Sequence, residues 1–423
     1  MIYALILFAA TYVLMLAFQK YRPYIALTSA LIFVVSGMMP LDQVLSYVDF
    51  NVLLMIAGTM GTVALMIESK MPNLMADVLL DHVPNVKWAI VALALFAGVV
   101  SAFIDNVATV LMIAPIGLAI AKKLNISPVP MIIAIAVSSN LQGAATLVGD
   151  TTAIMLGGYA GMNFLDFFVY RGRPGIFFAV EIGALLSAAI LLILFRKESS
   201  PVDKNAHTKV TNYVPTFLLV GTVVALIVAS IIPNTPDIIN GIICTIIMLI
   251  GAVHNVMYKK DVKAFLEPVK EIDFETILLL FGLFIVVGGI TEMGVVDAIA
   301  GMFTKLGGGN LFVIYTLIVW MSVVFSAFID NIPYVATMLP VAQGIAASMG
   351  VDPPVLYFGL LSGATLGGNL TPIGASANIT GIGILRKNGW EVKNSDFLRI
   401  GIPFTLAAII PAYIYCWVFF HNL

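Results

Sequence analysis

The chain has 423 residues, of which 61% are hydrophobic and only 10% charged, with mean hydropathy +1.04 and a formal net charge of −2. No soluble domain of this length hides so much apolar surface, because a folded globule still needs a polar exterior. Near-neutral charge leaves nothing to attract nucleic acid, so the expected partner is the lipid bilayer and the expected fold class an all-α polytopic membrane protein.

Apolar runs near the ~20 residues that cross a bilayer recur from end to end. The first, over 2–18, lacks the basic flank and small-residue cleavage site of a signal peptide and reads as a retained helix. Spans follow over 24–39 and 48–67, then an amphipathic surface stretch over 70–86. The run 87–122 has two short apolar arms on either side of Asp105-Asn106, which reads as a re-entrant hairpin. A helix over 128–162 is broken around 141–150, and a span near 176–195 closes the first half. After the polar linker "RKESSPVDKNAHTKVTN" (196–212) come spans near 213–232, 237–257 and 273–291, a hairpin over 310–348, a broken helix over 354–385 and a span over 398–420.

The two series are related. A shift of 225 residues, from Asp105 to Asp330, lays "VVSAFIDNVATVLMIAPIGLAIA" over "VFSAFIDNIPYVATMLPVAQGIA" without a gap. In the same register Pro115 meets Pro340, Pro128 meets Pro353, and Gly143, Thr146 and Gly149 meet Gly368, Thr371 and Gly374. Upstream, "VDFNVLLMIAG" (48–58) meets "IDFETILLLFG" (272–282), and Glu68 meets Glu292. The organisation expected is a first repeat over 1–195, a cytoplasmic linker over 196–212 and a second repeat over 213–423, forming one transport domain. Five spans and one hairpin per half is an odd number of crossings, so the second half is expected to be inverted relative to the first. With both termini outside the plasma (inner) membrane, all of the 21 Lys and Arg except Arg171, Arg173 and Lys305 fall on the cytoplasmic side.

Non-helical backbone at membrane depth survives only where protein buries it or it lines a cavity. Inverted repeats with broken helices place substrate and coupling ion near the midplane in secondary transporters. An ionisable group there costs roughly 2.5–3.5 kcal/mol by insertion scales, so the repeated Asp reads as a pair of ion or proton sites. The candidate ion- and substrate-binding set is Asp105, Asn106, Gly143, Thr146, Gly149, Asp150 and Thr151 in the first half. Its counterpart is Asp330, Asn331, Asn369, Thr371, Gly374, Ser376 and Asn378 in the second. Freed carbonyls, amides and hydroxyls are hard oxygen ligands suited to Na⁺, placed at Asp105/Asn106 with 143–151 and at Asp330/Asn331 with 368–378. Half-helix N-termini offer N–H groups to an anion. The bland alternative is that each Asp merely caps a helix, as Asp49 and Asp273 are expected to do. Asp150 stands alone, because its counterpart is Ala375. Glu68 and Glu292 read as surface ends of matching spans, and Glu181 as a residue that reaches the interface. "GGYAG" (157–161) reads as a packing or turn element.

Cys244 and Cys416 lie far apart in apolar runs and read as small buried hydrophobes, and the four His form no ligand cluster. No Walker-type sequence and no nucleophile–base pair is present, so neither ATP-driven transport nor an enzyme is expected. No Lys or Arg occurs in a tip or a break. That favours a small or weakly charged substrate, or a cation.

The doubled "SAFIDN", the proline ten residues further on and the G-x-x-T-x-x-G break resemble the ion transporter superfamily, and within it the arsenite and P-protein-type permeases. The resemblance implies alternating access at a midplane site, no cofactor, and coupling to H⁺ or Na⁺. It further implies a small inorganic anion or oxyacid, such as arsenite or antimonite, as substrate. A Na⁺/H⁺ antiporter using Asp105, Asp150 and Asp330 is the alternative. A Na⁺-coupled di- or tricarboxylate carrier is less favoured, because such carriers have Ser-Asn-Thr where this chain has Asp105-Asn106-Val107 and Asp330-Asn331-Ile332. The branch also commonly reads Gly-Asp-Pro-Pro-Asn in the first break, where this chain has "GDTTA". Some members work as an elevator within a dimer, so the resemblance allows a homodimer.

Overall fold

The computed structural model describes residues 1–124, 126–201 and 207–423, so 202–206 of the expected linker lie outside the described residues. The chain opens with α1 (Ile2–Ala17) and α2 (Arg22–Val35), which meet at 119° across a tight turn at 19–21. These were expected as two separate spans, and the structure corrects that. Their 16 and 14 residues reach only about 24 and 21 Å, short of a ~30 Å hydrocarbon core. Pro23 at the start of α2 has no N–H to continue α1 but suits a new first turn.

After the single turn α3 (Val44–Tyr47) comes α4 (Phe50–Glu68), capped as expected by Asp49, which accepts from the Val52 N–H at 3.0 Å. The expected surface stretch is α5 (Met71–Leu80). The run expected as the first hairpin forms α6 (Val86–Ser101) and α7 (Asn106–Lys123), and the run expected as the first broken helix forms α8 (Val129–Gln142) and α9 (Thr151–Ala160). A two-residue antiparallel ribbon, β1 (Val169–Tyr170) with β2 (Arg173–Pro174), departs from the all-α expectation before α10 (Ile176–Leu194). The second half runs α11 (Val214–Ile231), α12 (Ile239–Lys259), α13 (Glu267–Lys270), α14 (Phe274–Glu292), α15 (Val295–Leu306) and α16 (Leu311–Ser326). It ends with α17 (Asn331–Met349), α18 (Pro354–Gly367), α19 (Ser376–Lys387) and α20 (Asn394–Phe420). Asp273 caps α14 through the Thr276 N–H at 3.1 Å. Among the described residues eight helices are long and apolar enough to cross a membrane, and ten if α1–α2 and α15–α16 each count as one. The second hairpin arms α7 and α17 are among the eight, so they are longer than the short arms expected. Pro115 and Pro340 lie inside them without ending them.

Packing follows the repeat. α12 crosses α4 as α2 crosses α14, and α6 lies on α8 as α16 lies on α18. The first two crossings bring backbone against backbone at Gly58 with Cys244 and at Gly282 with Ala26, where a Cβ would collide. Cys244 is thus buried in a helix crossing and Cys416 in the core, as small hydrophobes. Two clusters of loop contacts form. One gathers the ribbon, the α17–α18 loop and the carboxyl terminus, with Arg171 on Asp352 at 3.1 Å and Arg173 on the Asn422 carbonyl at 3.1 Å. The other gathers the ends of α4, α12 and α13 and the linker, where the Thr208 N–H donates to Asp77 at 2.8 Å and the Val86 N–H to the Ser200 carbonyl at 2.9 Å.

Candidate functional site: the hairpin tips and helix breaks

Each hairpin tip is built by one helix ending and another starting at an aspartate. Asp105 accepts from the N–H groups of Val107 and Ala108 at 3.0 and 3.1 Å, and Asp330 from that of Ile332 at 3.2 Å. Capping is therefore real at both tips, and it leaves lone pairs on each carboxylate for a ligand.

The break of each half presses onto its own tip. The Thr146 hydroxyl donates to the Ala102 carbonyl, and the Thr371 hydroxyl donates to that of Ala327. A Cβ placed on Gly149 would stand 2.6, 2.7 and 2.8 Å from the carbonyl oxygens of Gly143, Ser101 and Ala102. On Gly374 it would stand 2.5, 2.6 and 2.9 Å from those of Gly368, Ser326 and Ala327. Three carbonyls, two of them at the end of a helix where intrahelical donors run out, thus converge at each tip. They close around the break glycine itself, so each break is packed directly on its tip. At the first tip the buried Ser101 hydroxyl has no partner among the described residues, whereas its counterpart Ser326 donates to the Ala364 carbonyl at 2.5 Å.

A cavity of about 640 Å³ reaches the tips from one side of the molecule. Asp105, Asn106, Asp150, Thr151, Asn331 and Ser376 form its deep end, so six of the fourteen expected site residues meet there. Glu68, Lys259, Glu267, Lys270 and Glu271 line it as well, from the ends of α4 and α12 and from α13 and the residue after it. Asp150 stands at the start of α9 without capping it through the backbone, and accepts instead from the Thr152 hydroxyl at 3.0 Å. The glycines 143, 149, 368 and 374 and the threonines 146 and 371 hold the backbone together. Asn378 donates to the carbonyls of Gly368 and Thr371 at 3.1 and 3.2 Å, while its buried Oδ1 has no partner among the described residues.

Between the halves runs an amide web. Asn106 donates to Asn140 Oδ1 at 3.1 Å, and Asn140 donates to the Thr365 carbonyl at 2.7 Å and to Asn369 Oδ1 at 3.1 Å. Asn369 donates in turn to the Val137 carbonyl at 2.8 Å, so it serves the web. Sequence reasoning missed Asn140, Thr152 and Thr365. The 225-residue shift pairs Asn140 with Thr365, two polar residues on apolar helices, and that was the available signal.

Sequence reasoning also missed Arg22. Its Nη1 lies 2.9 Å from Asp330 Oδ2, with the two side chains 14% and 8% exposed, and the Ser376 hydroxyl donates to the same oxygen at 3.1 Å. No cation is present in the tip sequences, yet α2 delivers one to the second tip.

A second cavity, of about 800 Å³, opens elsewhere between the same elements. Its lining residues Phe284, Val287 and Thr291 are the 224-residue counterparts of Met60, Val63 and Ile67 in the first. It reaches Ala336 and Leu339 on α17 but neither Asp330 nor Asn331. Above that stretch α1 is fastened to α17, where the Tyr12 hydroxyl donates to the Pro333 carbonyl at 2.5 Å and also meets Thr337.

Residues 3–363 match the family described as citrate transporter, CitMHS. An uncharacterized transporter of Mycobacterium bovis is 32% identical over 98% of this chain and 97% of its own length. The human P protein is 25% identical over 86% of this chain and 52% of its own length. Among solved structures, the YdaH transporter of Alcanivorax borkumensis superposes with a TM-score of 0.59 at 13% identity, covering 89% of this chain and 86% of that one. MtrF of Neisseria gonorrhoeae, described as illuminating a class of antimetabolite efflux pumps, gives 0.57 at 16% identity, covering 92% and 83%. These two likenesses concern the fold.

Proposed function

Because the chain belongs to the citrate transporter family, we propose that it is an ion-coupled secondary transporter of the plasma (inner) membrane, in which the first tip and break hold the coupling cation, H⁺ or Na⁺. The single observation that carries this reading is the deep end of the 640 Å³ cavity, where Asp105 and Asp150 face the same space and, among the described residues, neither forms an ion pair with a Lys or Arg. A buried Asp150 carboxylate beside the half-buried Asp105 one needs a proton or a bound cation to stay there. The unpartnered Ser101 hydroxyl at the same tip supplies a further oxygen for it.

The substrate is a small inorganic anion or weakly charged oxyacid of the arsenite or antimonite type, seated between the tips where α7 and α17 begin. Citrate, named in the family description, carries several negative charges, and nothing at the deep end offsets them except a co-bound cation. The two cavities support alternating access through repeats of opposite orientation. The cavity with the lysine-bearing lining faces the cytoplasm, and the other opens when the tips shift. A second reading, Na⁺/H⁺ exchange without an anion, draws on the same pair of carboxylates, since one group that holds either H⁺ or Na⁺ enforces exchange.

The test is proton flux in proteoliposomes loaded with a pH dye, on adding Na⁺ alone. A signal that disappears in Asp105→Asn establishes the exchanger. No signal from the wild-type protein directs the search to arsenite, antimonite and small carboxylates, each with a proton or Na⁺ gradient imposed. Asparagine keeps the capping oxygen, so Asp105→Asn is expected to melt like the wild type while losing all coupled transport. Full transport in that variant would overturn the cation site.

A further inference from the structure

The geometry points to Arg22 as a built-in cation at the second tip, whose guanidinium takes the place a diffusible ion would occupy beside Asp330. Only the first tip is then open to a coupling ion. This rests on the reading above that the tips are cation sites, and it changes the expected count from two to one.

The two tips have the same sequence and each is packed against the glycine of its own break, yet their carboxylates are satisfied differently. Asp105 accepts two backbone N–H bonds and faces the cavity, and among the described residues no Lys or Arg pairs with it. Asp330 accepts one backbone N–H bond, the Ser376 hydroxyl and the Arg22 guanidinium, and it lies outside the cavity lining. A guanidinium stays charged at every physiological pH and matches a carboxylate closely, so it neutralises Asp330 without titrating.

The difference lies in the scaffold. α2 crosses α14 as α12 crosses α4, but α2 begins with Arg22-Pro23 whereas α12 begins with Ile239-Asn240-Gly241. Only one of the two scaffold helices therefore brings a cation to its tip. The short α1–α2 bend serves this placement, because it ends α1 at the depth of the tip, and Tyr12 fastens α1 to α17 beside it. An additional cation at Asp330 would meet a neutral pair and a fixed positive charge.

Equilibrium binding of radiolabelled Na⁺ to the purified full-length protein tests this. Arg22→Gln is expected to bind one more equivalent per chain than the wild type, and Arg22→Gln combined with Asp330→Asn to return to the wild-type count. Arg22→Lys keeps the charge and is expected to stay at the wild-type count. An unchanged count in Arg22→Gln overturns the inference. Removing one partner of a buried pair destabilises, so the same comparison is also made as a melting experiment in Na⁺ and in choline on the Asp105→Asn background. There Arg22→Gln should gain Na⁺-dependent stabilisation that Asp105→Asn alone lacks, and no gain refutes the proposal. The two readings fail separately. A wild type that binds no Na⁺ while Arg22→Gln gains an equivalent removes Na⁺ from the first tip only. A wild type that loses its equivalent through Asp105→Asn while Arg22→Gln gains none removes this inference only.

Discussion

Gly149 and Gly374 have no side chain because three carbonyl oxygens already stand where a Cβ would go. Each break can press against its tip only with glycine there. Gly149→Ala and Gly374→Ala should therefore each cost roughly 1–3 kcal/mol of stability, the usual range for overpacking, and both should abolish transport. Gly301, inside α15 with open space around it, is the control, and its change to alanine should leave melting and uptake intact. These glycines and the tip aspartates were legible because they occur twice at one spacing. Arg22 was not. Its partner lies 308 residues away, and its own neighbourhood reads as an ordinary basic loop. Nor does the shared Asp-Asn sequence reveal that Asp105 faces a cavity while Asp330 faces a guanidinium.

Beside the first cavity, Lys259 at the end of α12 bridges Glu68 at the end of α4 and Glu267 on α13. Its hydrogen bond holds the Glu267 carboxyl below the usual range, with Asn255 adding a second donor at 2.7 Å. A carboxyl depressed in the folded state adds stability above its unfolded value and loses it as pH falls through the folded one. The wild-type melting temperature should therefore drop more steeply than that of Lys259→Met below about pH 4.3, the ordinary glutamate value. Equal slopes would show that the bridge adds nothing, as many exposed pairs do. Element boundaries followed the sequence wherever caps and prolines marked them, as at Asp49, Asp273, Pro128 and Pro353. They failed at the amino terminus, where two apolar runs of spanning composition became helices of 16 and 14 residues around a sharp bend. Composition reports how apolar a run is, and it does not report where the helix stops.

For the whole molecule, α12 packs on α4 as α2 packs on α14, pairings that the repeat shift did not specify because it relates segments without naming their partners. The inverted arrangement is tested by cysteines at Lys123 and Met349, on a background lacking Cys244 and Cys416. They are expected to react with an impermeant thiol reagent from opposite sides of the membrane, and labelling from one side would remove the inversion. The amide web has a different consequence, for a chain divided in two. Asn140 from one half spends its donors on the Thr365 carbonyl and Asn369 of the other, and Asn369 spends its own on Val137. Either half made alone would expose these amides to hydrocarbon with nothing to bond. Two fragments severed in the linker should therefore persist only when produced together in one cell, each acting as the other's chaperone.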